Sequence, residues 1–289
     1  IVKYHVHAFL ETTAGWGGTK TAIQRLSEKT HTYKNCGNAE AKGNGIVMKI
    51  APLVFYYQQT LPYLTDKEFH ELELVTRMSH NNVQLVMATA FHAQMFFDIF
   101  SMQSSELDSL EGRIKMLEHA VQVAKKLELK YFDNKPHQNP LDATPSQENL
   151  LSVRMQLLLD RLKQKKQLED SDLIEIAKQG DYYVVNSVTM VFGILAAEAP
   201  TFQSIVRAVM IGGDTDSNAS MVGTVVGALK GVSEIDKLHV DQLQKSDLVI
   251  STAKKLAQAI QNIQQKSALN FSRWIFFGFV FLGALLNQK

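Results

Sequence analysis

The sequence predicts an all-α protein, and three observations carry that expectation. Long stretches free of Pro and Gly place apolar residues at three- and four-residue steps, the spacing of one helix face. Alternating apolar and polar runs, the mark of half-buried strands, are nearly missing, and β-branched clusters such as Asp247-Leu-Val-Ile250 are short. The composition, 45% apolar and 20% charged over 289 residues, is that of a folded globular chain.

The elements follow in order. The chain opens at Ile1 without an initiator Met or a signal-peptide pattern, and Ile1 to Leu10 already reads as the inside of a packed element. A piece of a longer protein, truncated at its N-terminus, is therefore expected. Ala14-Gly-Trp-Gly-Gly-Thr19 reads as a loop before a short helix. No strand precedes it, which excludes a Rossmann fingerprint and a P-loop. Gly43-Asn-Gly45 is a turn that exposes backbone N–H groups and opens a helix toward Pro52. This suits an anion such as a diphosphate, although an ordinary turn is the plainer reading.

Lys67 to Phe100 is helical, with Leu72, Val75 and Met78, then Leu85, Ala88, Phe91 and Met95, on a repeating face. Met78-Ser-His-Asn-Asn82 lies inside this run or at the start of a long helix. His80 there is either a ligand or metal contact or a satisfied core histidine. Leu107 to Leu127 repeats the helical spacing, and Leu150 to Leu162 does so more weakly. Asp133 to Glu148 holds Pro136, Pro140 and Pro145, three of the six prolines, and reads as a loop. It is not a domain boundary, because the most informative motifs flank it.

Gly180-Asp-Tyr-Tyr-Val-Val-Asn-Ser-Val188 is a glycine followed by aromatics at a helix start. Tyr182 or Tyr183 either stacks on a ribose or base or packs in the core. Lys237 to Gln265 is a further amphipathic run with Val249, Ala253, Leu256, Ile260 and Ile263 on one face. Trp274 to Leu286 has no charged residue. As a helix it spans roughly 20 Å, short of the ~30 Å hydrocarbon core, which predicts a buried or interface helix. A C-terminal membrane anchor is the second reading. The organisation expected is one domain over residues 1–269 and a hydrophobic tail over 270–289.

The densest chemistry lies in Gly212-Gly-Asp-Thr-Asp-Ser217. Two glycines make a sharp turn, and Asp214, Asp216 and Ser217 then precede a helix. Asp and Ser cap helix N-termini, but one cap needs only one of them. Two carboxylates and a hydroxyl supply hard oxygen ligands for Mg²⁺ or Ca²⁺. At 4 Å two such charges repel by ~4 kcal/mol at an effective dielectric near 20, and a helix N-terminus offsets up to ~2 kcal/mol. The remainder favours a cation or a shared proton. Along the helix, Ala219, Gly223, Gly227 and Gly231 share one face. Each interior Gly costs about 1 kcal/mol relative to Ala, so close approach of another helix is expected there.

Lys+Arg is 30 and Asp+Glu 29, a balance with no electrostatic footprint for nucleic acid. Cys36 is the only cysteine, so no internal disulfide forms, and a cytoplasmic protein is expected, with membrane association through the tail as the alternative. Gly-x-Ser-x-Gly, His-Glu-x-x-His and Cys-x-x-Cys do not occur.

In this order the motifs resemble the ADP-ribosylglycohydrolase family: Gly43-Asn-Gly45 with Met48 and Pro52, Ser79-His-Asn-Asn82, Gly180 to Val188, and the Gly212–Ser217 block. The resemblance runs from about His7 to Gly231. It implies an orthogonal all-α bundle around two Mg²⁺ ions that hold the ribose of ADP-ribose. It further implies Asp214, Asp216 and Ser217 as metal ligands, Gly43, Asn44 and Gly45 along the phosphate and ribose path, and His80 and Tyr183 near the ligand. The catalytic acid or base stays unassigned. The family's early Gly-Asp and Thr-Asp-Asp segments are missing here; Thr65-Asp66-Lys67 is similar but sits after the Gly-Asn-Gly block. Ser217 stands for the usual Thr, Lys49 for the usual Arg, and Asn186 for a common acid.

The activity this implies is Mg²⁺-dependent hydrolysis of an ADP-ribosyl bond on a modified protein side chain or a related conjugate. The alternative is a catalytically defective ADP-ribose-binding or structural relative. An Asp-x-Asp glycosyltransferase is a third reading, disfavoured because its nucleotide-binding sheet has no counterpart in this pattern.

Overall fold

The computed structural model describes residues 19–133 and 145–263, and helices supply nearly all the regular structure there. In chain order they are α1 (Thr19–Ser27), α2 (Ala51–Thr60), α3 (Asp66–Arg77), α4 (Val83–Ser101), α5 (Leu110–Glu128), α6 (Leu151–Lys165), α7 (Asp170–Ile176), α8 (Val184–Ala197), α9 (Phe202–Met210), α10 (Thr215–Lys230), α11 (Lys237–Gln242) and α12 (Ser246–Ile263). Among the described residues the β-structure is limited to two isolated bridges, Asn38–His80 and Gly43–Tyr183.

The centre is built by three helices that bury most of their circumference. All 14 residues of α8 are buried. α4 is apolar on nearly every side and touches α2, α3, α5, α8 and α10, which explains the absence of a polar face. It is the one described helix long and apolar enough to cross a membrane, and its side chains are instead buried within the fold. α10 lies against α4, α8 and α9. Its Gly223 and Gly227 are buried, consistent with small residues allowing close packing.

Helix ends are set by side chains. Asn82 Oδ1 accepts the Leu85 N–H at 3.0 Å and starts α4. Thr65 and Glu68 form a capping box on α3. The N-cap of α6, Leu150, has no capping side chain. Glu128, at the end of α5, takes that role by accepting the Ser152 N–H at 2.9 Å.

The structure refines several sequence expectations. Lys67 to Phe100 is two helices, broken at Met78–Asn82, because Asn82 caps a new helix there. Lys237 to Gln265 likewise begins as two helices, α11 and α12, and Asp247 to Ile250 lies in α12. The turn at Gly43–Gly45 leads first into a 3-10 turn, Val47–Lys49, with α2 starting only at Ala51. Gly231 does not extend the small-residue face. It ends α10 with φ +82°, a conformation that favours glycine. Thr65 and Asp66 begin α3, where Asp66 pairs with Lys130 at 2.6 Å. The expectations for Ile1–Leu10, the Ala14–Gly18 loop, most of the proline-rich loop and the 270–289 tail lie outside the described residues.

Candidate functional site

Four motifs distant in sequence meet at the N-terminal ends of the central helices. The segment Cys36–Gly43 is laid along the corner between α3 and α4. The Asn38 N–H donates to Ser79 O at 3.1 Å, the Asn81 N–H to Asn38 O at 2.9 Å, and Cys36 Sγ to Met78 O at 3.1 Å. Asn82 Nδ2 donates to Ala41 O at 2.7 Å. A Cβ at Gly37 would stand 2.0 Å from Arg77 O, so the close approach requires glycine.

This strap delivers Gly43–Gly45 to the start of α8. The Asn44 N–H donates to Tyr182 O at 2.8 Å and the Val184 N–H to Lys42 O at 3.0 Å. The same stretch before α8 holds the start of α10, since the Asp214 N–H donates to Gly180 O at 2.9 Å. Gly45 packs on the His80 ring, to which a Cβ would come within 3.3 Å. The turns that precede α8 and α10 are thus tied to each other and to Gly43–Gly45 by backbone hydrogen bonds.

Side chains join the motifs further. Asn44, buried, donates from Nδ2 to Ser187 Oγ at 2.8 Å and to the Asp214 carboxylate. Ser187 Oγ donates onward to Asp181 O at 2.8 Å. Asp181 Oδ1 accepts the Tyr183 N–H at 2.9 Å and Asn186 Nδ2 at 3.0 Å. Ser217 Oγ lies 3.2 Å from Met48 Sδ and also within reach of Asp214.

Burial, and then the neighbouring Asp216, push the Asp214 carboxyl above the usual carboxylate range; Asn44 and Ser217 pull against this. Among the described residues neither carboxylate is paired with a Lys or Arg. Burial, with the Lys49 ammonium adding to it, pushes His80 down to about 4, so its imidazole is neutral at physiological pH. Ser79 Oγ lies 2.8 Å from its Nδ1.

The expected site residues therefore fall together in space: Gly43, Asn44 and Gly45 beside Tyr183 and His80, with Asp214, Asp216 and Ser217 reached through Asn44. Tyr183 is partly buried, whereas Tyr182 is 70% exposed. One local expectation is corrected. Asp214 occupies the N-cap of α10 but makes no side-chain cap bond, because its carboxylate is turned to Asn44. Sequence reasoning missed Ser187, Asp181 and the bridging use of Asn44. Only the Gly180–Val188 motif as a whole signalled this segment. The two carboxylates and the Ser217 hydroxyl are the hard-oxygen set a divalent cation takes. Among the described residues, however, no group of three or more His, Cys, Asp or Glu side chains is placed to hold a metal.

A family model described as ADP-ribosylglycohydrolase matches residues 3–266, most of the chain. No curated protein matches it.

Proposed function

The chain belongs to the ADP-ribosylglycohydrolase family, whose chemistry is hydrolysis of ADP-ribosyl conjugates, and from that premise we propose a Mg²⁺-dependent hydrolase that removes ADP-ribose from modified protein side chains or related conjugates. The observation that carries this reading is the half-buried Asp214 carboxylate beside Asp216, with no basic side chain to balance it among the described residues. A cation is the simplest compensation, and the carboxylates must offset a helix dipole that by itself disfavours one.

Asp214, Asp216 and Ser217 would hold magnesium. Bound there, it supplies Lewis-acid stabilisation of charge on the ribose and orientation of its hydroxyls. Two ions are proposed, as the family resemblance implies. Gly43 and Gly45 present backbone along the phosphate path. The neutral His80 imidazole, with Nδ1 engaged by Ser79 Oγ, would turn Nε2 toward the ligand, and Tyr183 provides an aromatic face at the start of α8. The reading includes a cytoplasmic location. Residues 270–289 are proposed as a separate hydrophobic tail.

A second reading, a relative that keeps the fold and binds ADP-ribose without turnover, is favoured by the same carboxylate pair being only two residues among the described ones. The test separates the two. Hydrolysis of ADP-ribosylated arginine and serine substrates, together with binding of ADP-ribose, is measured with and without Mg²⁺ for the protein and for Asp214→Ala and Asp216→Ala. The hydrolase reading expects Mg²⁺-dependent turnover and its loss in both variants with the fold retained. Metal-independent turnover, or full activity in both variants, refutes the role of these carboxylates. ADP-ribose binding without turnover establishes the second reading instead.

A further inference from the structure

We propose that Asn44 is a positioning residue for Asp214, with no side-chain N–H left for substrate. The inference rests on the reading of Asp214 and Asp216 as magnesium ligands.

Asn44 is 4% exposed, and its backbone is held at both ends. Its N–H donates to Tyr182 O at 2.8 Å, and its carbonyl accepts the Met48 N–H at 3.3 Å. A carboxamide has two N–H donors. One goes to Ser187 Oγ at 2.8 Å and the other to Asp214 Oδ2. Ser187 has a single proton, which it gives to Asp181 O at 2.8 Å, so toward Asn44 it can only accept. Turning the amide over would set its carbonyl oxygen against a carboxylate and against a hydroxyl whose proton is already committed. The donor orientation is therefore the one its surroundings impose. Both amide protons are consumed inside the protein.

The consequence falls on Asp214. Asp214 caps α10 without a side-chain bond to the helix backbone, and the Ser217 and Asp216 side chains of α10 reach the same carboxylate, so Asn44 is the partner that holds it from outside the helix. The Asn44 amide fixes Oδ2, so the orientation in which the carboxylate would meet a cation depends on Asn44. The amide is in turn held by Ser187, which belongs to the rigid first turn of α8. Residues 143 and 170 positions away from Asn44 are thus tied through one side chain.

The test uses Mn²⁺ as the probe, titrated into the full chain and followed by electron paramagnetic resonance, together with the side-chain amide NMR signals of Asn44 in metal-free protein. In wild type one Asn44 amide proton should shift on Asp214→Ala and the other on Ser187→Ala. Asn44→Ala should weaken Mn²⁺ binding about tenfold, the scale of a hydrogen bond to a charged group. Asn44→Ser, which keeps a shorter donor, should lose less and serves if the alanine variant does not fold. Unchanged Mn²⁺ affinity in a folded Asn44 variant overturns the proposal, as does an amide signal that Asp214→Ala leaves in place. Wild-type protein that binds no Mn²⁺ overturns the metal reading beneath it, and this is seen before any substitution is made.

Discussion

Gly212 and Gly213 are a matched pair of perturbations one residue apart. Both have φ in the left-handed region, +91° and +77°, so alanine at either position carries backbone strain of roughly 1–2 kcal/mol. Their surroundings differ. A Cβ at Gly212 meets nothing within 4 Å, whereas one at Gly213 would stand 2.4 Å from Gln179 O and 2.5 Å from Gly180 O. Both of those atoms are backbone and cannot rotate aside. Gly180 O also accepts the Asp214 N–H, so relieving the clash loosens that bond, at about 0.5–1.5 kcal/mol. The displacement itself adds to this. Gly212→Ala should therefore cost about 1–2 kcal/mol and Gly213→Ala about 2–4 kcal/mol. Urea unfolding of both variants in one buffer measures the difference, provided the m-values agree. Mn²⁺ affinity should fall in Gly213→Ala and hold in Gly212→Ala, because only the former moves Asp214. Equal unfolding midpoints would show that strain alone accounts for both glycines and that close approach to Gly180 does not matter.

Two further expectations concern the core. His92 is fully buried with both ring nitrogens unbonded among the described residues, and burial pushes it down to about 3. A histidine lowered from 6.5 stabilises the fold above 6.5 and loses that contribution as pH falls toward 3, about 2 kcal/mol by pH 5. His92→Phe should flatten the acid limb of a stability–pH profile, and an unchanged limb would show that other groups set it. Asn82 both caps α4 and donates to Ala41 O, so Asn82→Ala should cost about 2–3 kcal/mol by chemical denaturation. A loss below ~0.5 kcal/mol would mean that water replaces both bonds.

Much of the fold is legible because helical periodicity is a local property. The runs around Leu85–Met95, Leu110–Ala124 and Val249–Ile260 all lie in helices. Boundaries were less legible where a polar residue interrupts an apolar run. Asn82 sits within a stretch free of Pro and Gly, and its capping bond stops one helix and begins another. Gly231 matched the spacing of Gly223 and Gly227, but its φ of +82° shows a different cause.

The sequence by itself determined the helical class, the order of the motifs, and the concentration of carboxylate and hydroxyl oxygens at Asp214, Asp216 and Ser217. Each follows from neighbours within a turn or two, where residue type and spacing constrain geometry directly. Only the tertiary structure decided which donor meets which acceptor. Asn44 in a Gly-Asn-Gly turn reads as part of an anion-binding or an ordinary turn, with nothing in the sequence to name a partner for its side chain. It becomes a buried bridge once α8 brings Ser187 to one side of it and α10 brings Asp214 to the other. No local pattern encodes that pairing, because a hydrogen bond across 170 residues exists only after the helices have packed and excluded water from the competing partners.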